Sequence, residues 1–274
     1  LGDDPIDDTI RQRRALMSQA DAFEAVHVPT TLDLLEPARD RFRYQEAFVL
    51  QTILALRRKA MAASDATARP GSDDGLARAI EQRLPFALTE GQQNAVAEIR
   101  GDLARPAPMQ RLLHGEVGAG KTLVALLAMA TVVDSGGQAV LLAPTEVLAA
   151  QHHASISALL GELAEAGTLL GGSTGTQVVL LTGSASAASR REALLKIVSG
   201  EAGIVVGTHA LLNEAVQFAD LGLVVVDEQH RFGVEQRAAL LERGSGTSRP
   251  HLLVMTATPI PRTVAMTVFG DLDV

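Results

Sequence analysis

The chain has 274 residues, 47% of them hydrophobic and 3% aromatic, with a formal net charge of −8 and no cysteine. That length accommodates one sizeable core plus an accessory segment, and the missing thiols exclude disulfides, thiolate zinc sites and cysteine nucleophiles. The acidic balance argues against a globally basic nucleic-acid binder while leaving room for a local track.

From the N-terminus, the chain opens on Leu1 without a signal peptide, which reads as a piece of something longer. Arg11 to Val26 and Arg39 to Met61 both read as helices. In the second, Phe42, Ala47, Phe48, Leu50, Ile53, Leu54 and Leu56 form an apolar stripe at helical spacing. Arg57-Arg58-Lys59 near its end suits the negative pole of a helix; a DNA contact is the alternative. Ala62 to Gly75 carries Ser64, Asp65, Pro70, Gly71, Ser72 and Asp73, which is linker chemistry. The expected organisation is a helical linker segment over 1–63, a connecting stretch with a helix over 64–82, and an α/β domain over 83–274.

From about Arg83, short apolar runs alternate with helical stretches: Arg111–His114, Ala139–Ala143, Val178–Thr182, Ile204–Val206, Leu221–Val226 and Leu252–Met255. Continuous rather than alternating apolar runs predict strands buried on both faces, hence a mainly parallel sheet flanked by helices. Ligands of such sheets gather at the carboxyl ends of the strands. The apolar helix Leu123–Val133 is too short to span a bilayer, so no membrane partner is expected.

Each motif sits at one of those strand ends. Gly115-Glu116-Val117-Gly118-Ala119-Gly120-Lys121-Thr122 is Gly-x-x-x-x-Gly-Lys-Thr between a strand and a helix, a phosphate-binding loop. Its backbone N–H groups and the positive helix end suit the phosphates of ATP, with Lys121 reaching the β- and γ-phosphates and the Thr122 hydroxyl holding Mg²⁺. The chain has three lysines, Lys59, Lys121 and Lys196, and one stands in this loop. Leu223 to Val226 then delivers Asp227 and Glu228 to a strand end, as a Walker B element does. Asp227 is expected to hold Mg²⁺ and Glu228 to orient the attacking water; two acids opening a helix are the bland alternative. Thr256-Ala257-Thr258-Pro259 closes the last strand with two hydroxyls that suit a contact to the acidic pair, or a simple turn.

This ordered set, with Ala143-Pro144-Thr145-Glu146, Gly207-Thr208-His209 and Asp227-Glu228-Gln229-His230, resembles the first motor lobe of superfamily-2 helicases. Within them it is most similar to the RecG family of ATP-dependent fork-remodelling helicases. The run Asp227 to Arg237 and the segments Ala22–Pro29 and Arg39–Gln51 carry that narrower resemblance. The transcription-repair coupling translocases share His230-Arg231-Phe232-Gly233-Val234 and Thr256 to Thr263.

The resemblance implies a RecA-like P-loop NTPase lobe preceded by a linker from a wedge domain. It implies ATP and Mg²⁺ as cofactors, branched double-stranded DNA as partner, and a cytoplasmic setting that suits a cysteine-free chain. It assigns the adenine edge to Gln92, which equally suits a capping box with Thr89. It assigns DNA tracking to Pro144, Thr145, Glu146, Gly207, Thr208 and His209, which otherwise read as strand-to-helix turns. Gln229, His230, Thr256 and Thr258 become coupling residues. A second RecA-like lobe, bearing an arginine that completes the ATP site, and the wedge are partners from the same parent chain. Without that arginine the piece alone is expected to be a poor ATPase. A P-loop transporter or switch ATPase lacks the Pro-Thr-Glu and Thr-Ala-Thr elements in this order, and a nucleotide-gated DNA-binding module without catalysis is the other alternative. The adjacent His152 and His153 point in different directions on a helix and read as surface or packing residues, not a metal site.

Overall fold

The computed structural model describes residues 4–62, 64–165, 175–227, 240–241 and 248–257. They divide into two compact units, one ending at Ala60 and one beginning at Met61.

The first unit holds α1 (Asp8–Arg13), α2 (Gln19–His27) and α3 (Leu35–Ala62). The single helix expected over Arg11–Val26 is therefore two. Ala15 adopts a left-handed φ of 51°, its N–H donates to the Gln12 carbonyl and the Leu16 N–H to the Arg11 carbonyl at 2.9 Å, which closes α1 in a Schellman turn. Ser18 then caps α2 by accepting from the Asp21 N–H. The core here is small: Ala22, Ala25 and Ala38, with Met17 and Phe42 against them. Of the apolar stripe, Leu54 is buried whereas Leu50, Ile53 and Leu56 are exposed. A polar staple adds to that core: the fully buried Arg41 guanidinium donates to the Met17 carbonyl, Gln45 and Asp4.

The second unit runs α4 (Leu76–Arg83), α5 (Glu90–Leu103), β1 (Gln110–His114), α6 (Lys121–Asp134), β2 (Gln138–Leu142), α7 (Glu146–Leu160), β3 (Val178–Leu181), α8 (Ala187–Val198), β4 (Ile204–Gly207), β5 (Leu221–Asp227) and β6 (His251–Thr256). All six expected strands form, and they make one parallel sheet in the order β1-β6-β5-β2-β4-β3. β2, β4 and β6 are buried along their whole length, as their unbroken apolar runs require. α6 is buried from Leu123 to Val132 and fills the core beneath the phosphate-loop segment. Two polar clamps fix the far end of the lobe. The Gln138 carboxamide donates to the carbonyls of Ile197 and Ala202 and accepts from the N–H groups of Ala219 and Asp220. The Asp134 carboxylate accepts from the Leu76 and Ala77 N–H groups at the start of α4; burial raises its pKa against those bonds. No helix among the described residues is long and apolar enough to cross a membrane.

Candidate functional site

Because all six strands run the same way, every strand-to-helix loop opens on one rim of the sheet. His114 lies level with Thr256 and Asp227 level with Met255, so β1, β6 and β5 end together. Two strand spacings separate the loop after β1 from Asp227, about 10 Å, with Thr256 on the strand between.

The loop after β1 is held open by its glycines. Gly118 and Gly120 take left-handed φ of 83° and 78°, where an L side chain is strained. A Cβ on Gly115 would already touch Ala119 Cβ and Lys121 Cγ at 3.4 and 3.6 Å. Among the described residues the N–H groups of Gly118, Gly120, Lys121 and Thr122 have no intramolecular acceptor, which makes a cradle of donors at the start of α6. The Gly115 N–H instead donates to the Thr256 carbonyl at 3.4 Å. Lys121 Nζ folds back onto the loop's own carbonyls, Gly115 at 2.7 Å and Glu116 at 2.8 Å. Val117 at the loop tip is fully open to solvent, and Thr122 follows Lys121 on the first turn of α6.

Of the two readings the sequence left open for Gln92, the structure shows the capping box. The side chain closes it with Thr89, accepting from the Thr89 N–H at 3.0 Å. Its Nε2 also donates to the Ala119 carbonyl at 3.0 Å, tying α5 to the phosphate loop.

At the end of β5, Asp227 Oδ2 lies 2.7 Å from His152 Nε2, both side chains mostly buried. An ionised carboxylate only accepts, so that ring nitrogen carries the proton. The sequence reading assigned His152 to packing or surface; the structure makes it the partner of a predicted metal ligand. Its neighbour His153 points elsewhere, toward the Val178 carbonyl. Glu228, Gln229, His230 and Thr258 lie outside the described residues, and Thr256 is buried at the end of β6.

The other half of the rim gathers the residues proposed to track DNA. Thr145 caps α7 by accepting from the Leu148 N–H, and it and Pro144 lie at the surface. Glu146 accepts from the Ser184 N–H at 3.0 Å and from its hydroxyl at 2.6 Å. Those two bonds, the hydroxyl first, hold its carboxyl below the usual carboxylate range, with His209 adding a smaller pull. Gly207 is a required glycine, since a Cβ there would stand 2.2 Å from the Leu181 carbonyl of β3. Thr208 is 1% exposed and its hydroxyl has no partner among the described residues, whereas His209 is exposed. Sequence reasoning missed Gly183 and Ser184. The signal was Thr182-Gly183-Ser184 directly after a predicted strand, the same placement as Gly207-Thr208-His209. A cavity of about 360 Å³ lined by Gly71, Ser72, Arg78, Glu81 and Asp134 lies at the opposite end of α6 and contains no predicted site residue.

Residues 89–267 match the family model of DEAD/DEAH box helicases. The chain is 50% identical over 271 residues to an ATP-dependent DNA helicase RecG from Mycobacterium bovis, covering 99% of this chain and 37% of that protein. It is 43% identical over 271 residues to the RecG of Synechocystis, covering 99% of this chain and 31% of the relative. It therefore spans about a third of the length of the curated relatives it matches. Among solved structures, RecG bound to a three-way DNA junction superposes with a TM-score of 0.81 at 35% identity, covering 100% of this chain and 35% of that one. The yeast DEAD-box splicing factor Prp28, at 16% identity and a TM-score of 0.54 over 80% of this chain and 54% of that one, shares the fold alone.

Proposed function

Because the chain belongs to the DEAD/DEAH box helicase family, we propose that it is the first motor lobe of an ATP-dependent DNA helicase of the RecG type, one that remodels branched DNA. The observation that carries this reading is the placement of the donor cradle around Lys121 and the carboxylate of Asp227 on one rim, two strands apart.

The cradle fits a triphosphate. Lys121 leaves the carbonyls of Gly115 and Glu116 to neutralise the β- and γ-phosphates, while the N–H groups of Gly118, Gly120, Lys121 and Thr122 donate to the remaining oxygens. Thr122 and Asp227 are the oxygen donors suited to Mg²⁺, which supplies charge neutralisation across the phosphates when bound. Glu228 orients the attacking water. Gln92 already spends its carboxamide on Thr89 and Ala119, so an adenine contact requires it to exchange one of those bonds. Thr256, Thr258, Gln229 and His230 relay nucleotide state, and the Gly115–Thr256 bond supports that role for Thr256.

On the other half of the rim, Pro144, Thr145, Glu146, Gly207, Thr208 and His209 face the DNA backbone. The N–H groups of all but Pro144, with the hydroxyls, suit contacts that ignore base sequence. Glu146 cannot donate to a phosphate as a carboxylate; its part is to hold the Ser184 turn in place. Thr208 reaches a phosphate only if its buried turn opens.

Closure of a second RecA-like lobe over this rim supplies the completing arginine, a contribution of about 10³–10⁵ in rate. A wedge domain splits the junction as the motor steps along duplex DNA. The intact protein works in the cytoplasm, where ATP and chromosomal DNA meet. The test is junction unwinding and ATP hydrolysis by the intact protein carrying Lys121→Ala or Glu228→Gln. Loss of both activities in each variant supports the reading, and retained unwinding in both ends it.

A further inference from the structure

We infer that His152 is a positioning residue for Asp227, and that through it α7 mechanically joins the DNA-facing turn to the metal-holding end of β5. The inference rests on the nucleotide-site reading above.

Asp227 is the last residue of β5, where a fully buried strand delivers its carboxylate to the rim. Among the described residues, His152 is the one side chain that hydrogen-bonds it, at 2.7 Å. A carboxylate with only 14% of its side chain exposed needs a donor to offset lost hydration. A donor committed to one oxygen also restricts rotation about the Cβ–Cγ bond, which decides where the other oxygen points. His152 can serve this way because its own position is fixed. Ala149 and Ile156, one turn on either side along the same face of α7, are both fully buried in the core. The sheet order explains the meeting: β2, which leads into α7, pairs directly with β5.

The same helix begins at Glu146, which is bonded to the Ser184 turn. His152 stands six residues further on, about 9 Å along a rigid helix. A shift of the Pro144–Glu146 turn on DNA therefore moves His152, and with it the carboxylate.

The test uses the intact protein with His152→Ala, His152→Gln and, as a neighbour control, His153→Ala. Gln places an amide N–H near the ring Nε2 and keeps a donor for Asp227. A fluorescent ATP analogue is titrated at fixed concentrations of Mg²⁺ and again in EDTA. Loss of an outer-shell partner weakens a metal site by about 10–100-fold. His152→Ala is thus expected to raise the Mg²⁺ concentration for half-maximal nucleotide binding by at least about tenfold, with Gln restoring most of it. Affinity in EDTA is expected to stay unchanged in all three variants, and His153→Ala to match the wild type throughout.

An unchanged Mg²⁺ requirement in His152→Ala overturns the inference. So does a defect in which Gln is as poor as Ala, or one that is equally large in EDTA, since either marks a packing role. Wild-type protein whose nucleotide binding ignores Mg²⁺ altogether overturns the nucleotide-site reading itself, an outcome distinct from any variant effect.

Discussion

Where β1, β6 and β5 end, the rim carries a lysine, a row of donor N–H groups without intramolecular acceptors among the described residues and an aspartate with its own histidine partner. Where β2, β4 and β3 end, the turns Pro144–Glu146, Thr182–Ser184 and Gly207–His209 contain no lysine or arginine at all. On the function proposed above, the first half holds a compact, highly charged ligand. The second offers only amides, hydroxyls and one imidazole, next to a carboxylate. Contacts of that kind give a grip set by backbone geometry, weak per contact and simple to release. A motor needs both: tight capture of its fuel and loose tracking of its substrate. On the DNA-tracking reading proposed above, few phosphates are neutralised here, so this rim contributes little to any salt dependence of DNA binding, which scales with the number of phosphates paired by cations.

The largest expected effect removes the charge from the first half. Lys121→Ala should lower ATP hydrolysis by the intact protein about 10²–10³-fold, the usual loss of a group that stabilises developing charge. Its DNA affinity without nucleotide should stay within about twofold, since the rim halves use different groups. An equal fall in both, measured by steady-state hydrolysis and fluorescence anisotropy, would break the division.

Next comes the second half's scaffold. Gly207→Ala sets a Cβ at 2.2 Å from the Leu181 carbonyl, a backbone atom that cannot swing aside. β3 and β4 must separate, at a cost of about 1–3 kcal/mol, read as a lower thermal midpoint. Nucleotide affinity well below that midpoint should persist, because neither strand borders the phosphate loop.

A milder probe is Ser184→Ala. It removes the hydroxyl that is the largest single hold on Glu146, leaving that carboxylate held by the Ser184 N–H and freer to move toward DNA. DNA affinity should fall by about 1 kcal/mol, the worth of one hydrogen bond, with ATP affinity untouched. A rise in DNA affinity would mean that Ser184 was restraining the turn instead of shaping it.

These probes rest on residues that differ in how far the sequence exposes them. Five strands were legible because each carries a run of three or four apolar residues, mostly Val, Leu and Ile, and such runs have few other homes, whereas β1 offers only Leu112-Leu113 and was placed by the phosphate loop after it. The phosphate loop was legible because its glycines answer a local backbone demand. The break between α1 and α2 was not, since the turn uses Ala15 in a conformation that ordinarily selects glycine or asparagine. His152 was hidden for a different reason. Its role depends on β2 lying beside β5, a long-range pairing that no local pattern encodes, and the same holds for Glu146, after β2, meeting Ser184, after β3, across the end of β4.

The smallest effect concerns pH, and it touches the two halves unequally. His251 opens β6 at the rim opposite the site. Its Nδ1 accepts from the Met109 N–H at 3.0 Å, and Nε2–H donates to the Thr67 carbonyl. Burial lowers its pKa beneath the ordinary 6.5, a pull that the Thr67 carbonyl only partly opposes and that Arg69 reinforces. The unfolded chain therefore takes up this proton at a higher pH than the folded one. Stability from the neutral ring is complete above pH 6.5, is lost as pH falls below that value, and stops falling beneath the folded pKa. Because the ring joins β1 to β6, acid should loosen these strands first. Hydrogen exchange near pH 6 should quicken in β1 and β6 before β3 and β4, and His251→Asn should flatten the trend while lowering the melting temperature at neutral pH. Uniform acceleration across all six strands would instead show one cooperative sheet, with the division confined to the chemistry of its rim.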